Sequence, residues 1–416
     1  MSKETRTLLI QILLFVITFI STTLAGAEWM YGGSFIYGPN TMGWQEFYGG
    51  LNFSIPFLLI LTSHEFGHYF MAKYHKVKVS LPYYMPMWFG FLPSFSIGTM
   101  GAFIRLKERV KSLTKTFDIG LAGPLAGFAI AILVIIYGFS NLPPKEHIYS
   151  IHPEYELFGE NFEEYIYDID TFFLKTDLAK INPEAASYYE ADTIRMGPSY
   201  QLGIQLGSNL IYEFAKAYIV PANDIDRIPN PNEMFHYPYL FAGFLALLFT
   251  ALNLLPIGQL DGGHVLYGLI GEKKFKVVAL LTYILLLVYA GLGNGVFGVF
   301  NPFDLSQDMV DIIIALLAYA FFLFYLLGKT SFTNQQKLMI SLGIIAFQEI
   351  LLLTFPGVQG YGGWMLFAFL IGRYLGIYHP PSEIEEPLTT NRKILGWIAL
   401  VIFILSLSPQ PFVINV

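Results

Sequence analysis

Apolar residues along the chain fall in long blocks, not in the 3.6-residue stripe of an amphipathic helix or the two-residue alternation of a half-buried strand. Such blocks recur at 7–26, 47–74, 117–139, 238–256, 277–299, 309–328, 336–355, 360–378 and 394–411. Each is on the order of 20 residues, enough to cross about 30 Å of hydrocarbon. The pattern predicts an all-α polytopic membrane protein with about nine transmembrane helices. Helices are required because lipid offers no partner to free backbone N–H and C=O groups, and the strand-turn rhythm of a membrane β-barrel is absent.

Two stretches interrupt this pattern. Residues 79–106 are rich in Pro, Gly and aromatics, too broken for a helix and too apolar for an ordinary solvated loop, and they predict a re-entrant or hairpin segment. Non-helical backbone at membrane depth is tolerated where it is buried in protein or lines a wet cavity, so this segment points to a site nearby. Residues 140–236 form the one sizeable polar insert. Within it, 202–219 has apolar spacing suited to a helix lying on the membrane surface. The chain therefore divides into a first membrane part (1–139), the insert (140–236) and a second membrane part (237–416), with no internal repeat.

Charge adds orientation. Only 13% of residues are charged and the net charge is −7. The insert holds 16 acidic against 6 basic residues, so the acidity belongs to it. Basic residues crowd the other connections: Lys3 and Arg6, Lys73 to Lys78, Arg105 to Lys115, and Lys273 to Lys276. The positive-inside rule places these loops and the N-terminus in the cytoplasm and the insert outside. The first block, with Lys3 and Arg6 before it and Ala25-Gly26-Ala27 after it, could imitate a cleaved signal peptide, but its length favours a retained span. With no cysteine in the chain, a metal must be held by His, Asp or Glu.

His64-Glu65-Phe66-Gly67-His68 is an H-E-x-x-H lying inside the second apolar block, hence on a helix. A spacing of four sets both imidazoles on one face, where they can share an ion, and Glu65 beside them can move protons. Chance produces this motif on the order of once in a hundred such sequences. Its burial in lipid, roughly 13 Å inside the boundary marked by Lys73 at 1.5 Å per residue, would be costly for a pair of idle histidines. Gly67 would let another helix approach closely.

A catalytic zinc takes three protein ligands, so a third must come from elsewhere. His75 lies beyond Lys73 at the interface. Asp261 follows an apolar span that also ends on the cytoplasmic side, and Pro256 and Gly258 break the helix before it, leaving irregular backbone where a carboxylate can turn inward. The competing readings are Asp261 as a helix N-cap and His264, three residues on, as the ligand.

Together these motifs resemble the site-2 protease family of intramembrane zinc metalloproteases, most closely its chloroplast and bacterial branch. The resemblance rests on His64 to His68, on Gly123-Pro124-Leu-Ala-Gly127, and on the N-x-x-P and L-D-G between Asn253 and Gly262, and it covers roughly residues 47–270. It implies one zinc ion per chain held by His64, His68 and Asp261, with Glu65 as general base and Asn253 holding or polarising the substrate; Asn253 could equally be a polar helix-packing residue. The glycines of 123–127 read as helix packing. No PDZ-like carboxylate-binding loop is evident in the insert. The expected setting is the bilayer of a bacterial cytoplasmic membrane, with a transmembrane protein as substrate, as in regulated intramembrane proteolysis, and no nucleic-acid partner. The rival readings are a transporter or ion-pathway protein using the same His, Glu and Asp cluster, and a catalytically silent scaffold.

Overall fold

The computed structural model describes residues 2–38, 41–92, 96–153, 155–156, 162–163, 172–174, 193–195, 203–293 and 309–415. The described helices are α1 (Lys3–Tyr31), α2 (Trp44–Tyr74), α3 (Leu113–Ser140), α4 (Leu210–Tyr218), α5 (Pro238–Leu254), α6 (Asp261–Gly291), α7 (Met309–Leu326), α8 (Asn334–Thr354), α9 (Trp364–Leu370) and α10 (Thr390–Ser406). Every predicted span overlaps one of them. Among the described residues, five helical segments are long and apolar enough to cross a membrane: Lys3–Tyr31, Leu113–Ser140, Asp261–Gly291, Met309–Lys329 and Asn334–Thr354. Large apolar side chains such as Leu9, Leu13, Leu317, Phe321 and Leu353 stand exposed on their outer faces, as lipid contact requires.

The predicted hairpin is present. Strands β1 (Tyr83–Met87) and β2 (Gly98–Phe103) pair antiparallel, with a register shift between Tyr84 and Pro86 and a further bridge between Val79 and Leu106. The hairpin lies along α1. Gln11 donates to the Leu81 carbonyl (2.7 Å), Ser21 to Gly98 (2.7 Å) and Trp29 to Ser96 (2.9 Å). Gly98 sits in the left-handed region (φ 82°), and a Cβ there would lie 2.2 Å from the Thr22 Cα, so only glycine allows this contact. The block at 7–26 is thus one face of a packed pair as well as an apolar span.

Two expected boundaries differ. The span expected at 277–299 lies in the second of two helical stretches of α6, because Gly271 (φ 75°, ψ 168°) is non-helical and breaks the element between Ile270 and Glu272; residues 294–299 lie outside the described residues. The surface helix expected at 202–219 is confined to Leu210–Tyr218. Its first part is strand β5 (Gly203–Leu206), paired with β6 (Phe412–Asn415), and Asn209 starts the helix by accepting from the Tyr212 N–H (3.0 Å). Earlier in the chain, β3 (Phe172–Leu174) and β4 (Thr193–Arg195) form a separate antiparallel pair.

One end of the bundle is tied by charge. Asp118, at the start of α3, takes two bonds from Arg392 on α10 (2.8 and 2.9 Å) and one from His75 at the end of α2 (2.8 Å). His75 is thereby engaged as a structural partner, away from the H-E-x-x-H.

Candidate metal centre

His64, Glu65 and His68 are all buried on α2. The His68 Nδ1 lies 2.7 Å from the Ile119 carbonyl on α3; donation there fixes the tautomer and leaves Nε2 with its lone pair outward. That Nε2 is 3.0 Å from the Nε2 of His64. The Asp261 Oδ2 completes a triangle, 3.5 Å from His64 and 3.3 Å from His68. Four ligands at zinc's usual bond length of about 2.0–2.1 Å stand about 3.3–3.4 Å apart at the corners of a tetrahedron. The triangle therefore has the size of one zinc-binding face, and its two nitrogens and one oxygen suit that ion.

The local sequence builds this triangle. Helix α5 ends at Leu254, a turn follows, and Asp261 is the first residue of α6. The N-cap is Leu260, which makes no side-chain cap bond, so Asp261 does not take the capping role. Gly258 is left-handed (φ 59°) and donates to the Ile377 carbonyl (2.9 Å). A Cβ on Gly262 would lie 1.9 Å from the Leu254 carbonyl oxygen, so the glycine after Asp261 lets the new helix fold back onto the old one.

The glycines of α3 reach further than packing between helices. A Cβ on Gly123 would lie 2.1 Å from the His68 Nε2, and one on Gly127 would lie 3.0 Å from the His64 Cβ. Each imidazole occupies space that a side chain on α3 would take. Gly67 does the reciprocal service, since its Cβ would meet the Ala122 carbonyl oxygen at 2.5 Å.

A cavity of about 580 Å³ holds the triangle, Glu65, Asn253 and the outer part of β2, and reaches Arg109 and Ser382 at the end of the bundle where basic residues gather. Tyr84 on β1 shares a hydrogen bond with Thr62 (2.8 Å), joining the hairpin to α2. Asn253, half-buried in the last turn of α5, faces the same space.

His264 is not part of the triangle. Its Nδ1 lies 2.7 Å from the Nε2 of His379, whose own Nδ1 bonds to the Pro380 carbonyl (2.5 Å) and whose ring stacks on Tyr267 (4.3 Å). Burial pushes the His379 imidazole below its ordinary value and favours the neutral form. The chain of donors runs from His264 to His379 to Pro380 and leaves the His264 Nε2 as an acceptor. Sequence reasoning missed His379 and the 377–382 segment; a histidine followed by Pro380-Pro381 among apolar blocks was the only signal.

The model of peptidase family M50 matches residues 52–292. The probable chloroplastic zinc metalloprotease EGY1 of Oryza sativa subsp. japonica is 28% identical, over 62% of this chain and 33% of its own length. EGY1 of Arabidopsis thaliana is 27% identical over 55% and 31%, and EGY2 of Arabidopsis thaliana 24% identical over 54% and 29%. The chain spans about a third of the length of these curated relatives. No solved structure matches.

Proposed function

This chain belongs to peptidase family M50, and we propose on that premise that it is a zinc metalloprotease hydrolysing peptide bonds in or near the transmembrane segments of other proteins. The observation that carries this reading is the His64, His68 and Asp261 triangle, sized for zinc and set in a cavity with Glu65. A zinc ion held there would supply Lewis acidity toward water and the scissile carbonyl. Glu65 takes the proton from the attacking water and passes it to the leaving amine. Asn253 offers its amide to the substrate backbone as the carbonyl is attacked.

A substrate helix must first unwind, because its paired amides are shielded from attack. The β2 strand pairs with β1 on one side and lines the cavity with residues 100–103 on the other. An unwound stretch would add to that outer edge by backbone pairing. In the topology this implies, nine helices cross the bilayer and the 79–106 hairpin is re-entrant. The N-terminus and the mouth of the cavity face the basic side, which is the cytoplasm if the host membrane is a bacterial one.

The test compares wild type with Glu65→Gln, both purified and reconstituted with a single-span substrate. Zinc content should be unchanged and cleavage reduced by about 10²–10⁴-fold, the usual worth of a positioned general base. Cleavage at the wild-type rate in Glu65→Gln would sink the proposal.

A further inference from the structure

At the opposite end of the bundle a second cluster repeats the geometry of the first. His152 follows the short 3₁₀ turn at Lys145–Ser150 that opens the insert, while Glu233 precedes and His236 ends the 3₁₀ turn at Met234–His236 entering α5. A 3₁₀ turn eclipses side chains three apart, so Glu233 and His236 face the same way. The Nε2 atoms of His152 and His236 are 3.2 Å apart, and the Glu233 Oε2 lies 3.2 Å from His236 and 3.7 Å from His152. The triangle at His64, His68 and Asp261 has edges of 3.0, 3.3 and 3.5 Å.

The surroundings are equally alike. The His236 Nδ1 lies 2.7 Å from the Met30 carbonyl at the end of α1, which turns its Nε2 lone pair toward the cluster, as Ile119 does for His68. Tyr155 donates to the other carboxylate oxygen of Glu233 (3.2 Å) and stacks on His152 (4.6 Å), holding both in place. The His236 side chain is 1% exposed and that of Glu233 7%, against 20% for His152, so the cluster is buried with one accessible edge. Two imidazole nitrogens and a carboxylate oxygen converging within 3.2–3.7 Å of one another are the donor set that a zinc ion takes.

The geometry points to a second zinc site, formed by His152, Glu233 and His236. Three protein donors of this kind and spacing match zinc. The ion would join three segments that nothing covalent connects locally: the end of α1 through Met30 behind His236, the start of the insert, and the turn into α5. It is a structural clip for the insert, on the face away from the H-E-x-x-H. A proton shared within the cluster would satisfy the same atoms, and metal content separates the two.

Zinc is measured by mass spectrometry on the full chain, purified in detergent with zinc present. The His64→Ala/His68→Ala variant should keep about one equivalent and lose it when His152→Gln and Glu233→Gln are added. Absence of zinc from the first variant overturns the site, and so does zinc that persists after the second pair of changes. If the His64→Ala/His68→Ala variant does not fold, His152→Gln alone in the wild-type chain decides. A drop of about one equivalent supports the site, and unchanged content overturns it.

Discussion

Gly123→Ala tests whether α3 is shaped around the metal ligands. The new methyl would stand 2.1 Å from the His68 Nε2 and 2.4 Å from its Cδ2 and Cε1. Unstrained contact needs about 3.5 Å, so the ring must retreat by about 1.4 Å. Zinc ligands keep their bond lengths to within about 0.2 Å, so a shift of that size removes His68 from the ion. The ring cannot slide freely, because Ile119 holds its Nδ1 at 2.7 Å. Zinc affinity should fall by at least about 100-fold, the upper range for disturbing the groups that orient a ligand, and cleavage should fall with it. Gly127→Ala is the internal control. Its methyl would meet the His64 Cβ at 3.0 Å, which a shift of a few tenths of an ångström relieves, and affinity should drop by less than about 10-fold. The assay is zinc competition against a chelator of known affinity, on protein that elutes as a folded species. Zinc affinity in Gly123→Ala within about threefold of wild type, or a larger loss in Gly127→Ala, would refute the reasoning.

Asp261→Asn keeps the shape but weakens the one anionic ligand, and zinc affinity should fall by at least about 10-fold in the same competition assay. Arg392→Met removes the two bonds to Asp118 that fasten α10 to α3. With the arginine side chain 32% exposed, the loss should be about 1–2 kcal/mol, read as an earlier thermal unfolding transition in detergent. Ala102 and Phe103 are neighbours on β2 and offer their N–H groups to opposite edges. Proline at whichever faces the cavity should abolish cleavage with zinc content unchanged; wild-type cleavage in both variants would remove β2 from substrate binding. Dialysis against a strong chelator should abolish cleavage, and added zinc should restore it.

The sequence displayed whatever local spacing can encode. His64 and His68 share a face because four residues make about one turn, and the Pro- and Gly-rich run at 79–106 announced backbone that is not helical. Asp261 was harder, since a carboxylate after a helix break can also be read as a cap. The fold brings the start of α6 against α2, so that Asp261 stands 3.5 and 3.3 Å from the two imidazoles. Contacts between distant segments left no pattern to read. His152 and His236 are 84 positions apart, His264 and His379 115, and Asp118 and Arg392 274. The strand at Gly203–Leu206 was misread because its apolar residues continue the spacing of α4, while its partner, Phe412–Asn415, lies at the far end of the chain. Gly123 and Gly127 were legible as sites of close approach. That the approaching groups are the imidazoles became visible only in three dimensions.

The bend at Gly271 divides α6 into two bodies with separate allegiances. The ten residues from Asp261 to Ile270 are clamped: Gly263 lies against Gly258, His264 against His379, and Tyr267 against Glu385. The stretch from Glu272 to Gly291 carries the apolar length. Bilayers differ in thickness, and a spanning helix answers by tilting. A rigid rod ending in Asp261 would pass each degree of tilt to the carboxylate, where a few tenths of an ångström matter. Gly271, non-helical and with open space around it, is the joint between the clamped residues and the apolar stretch.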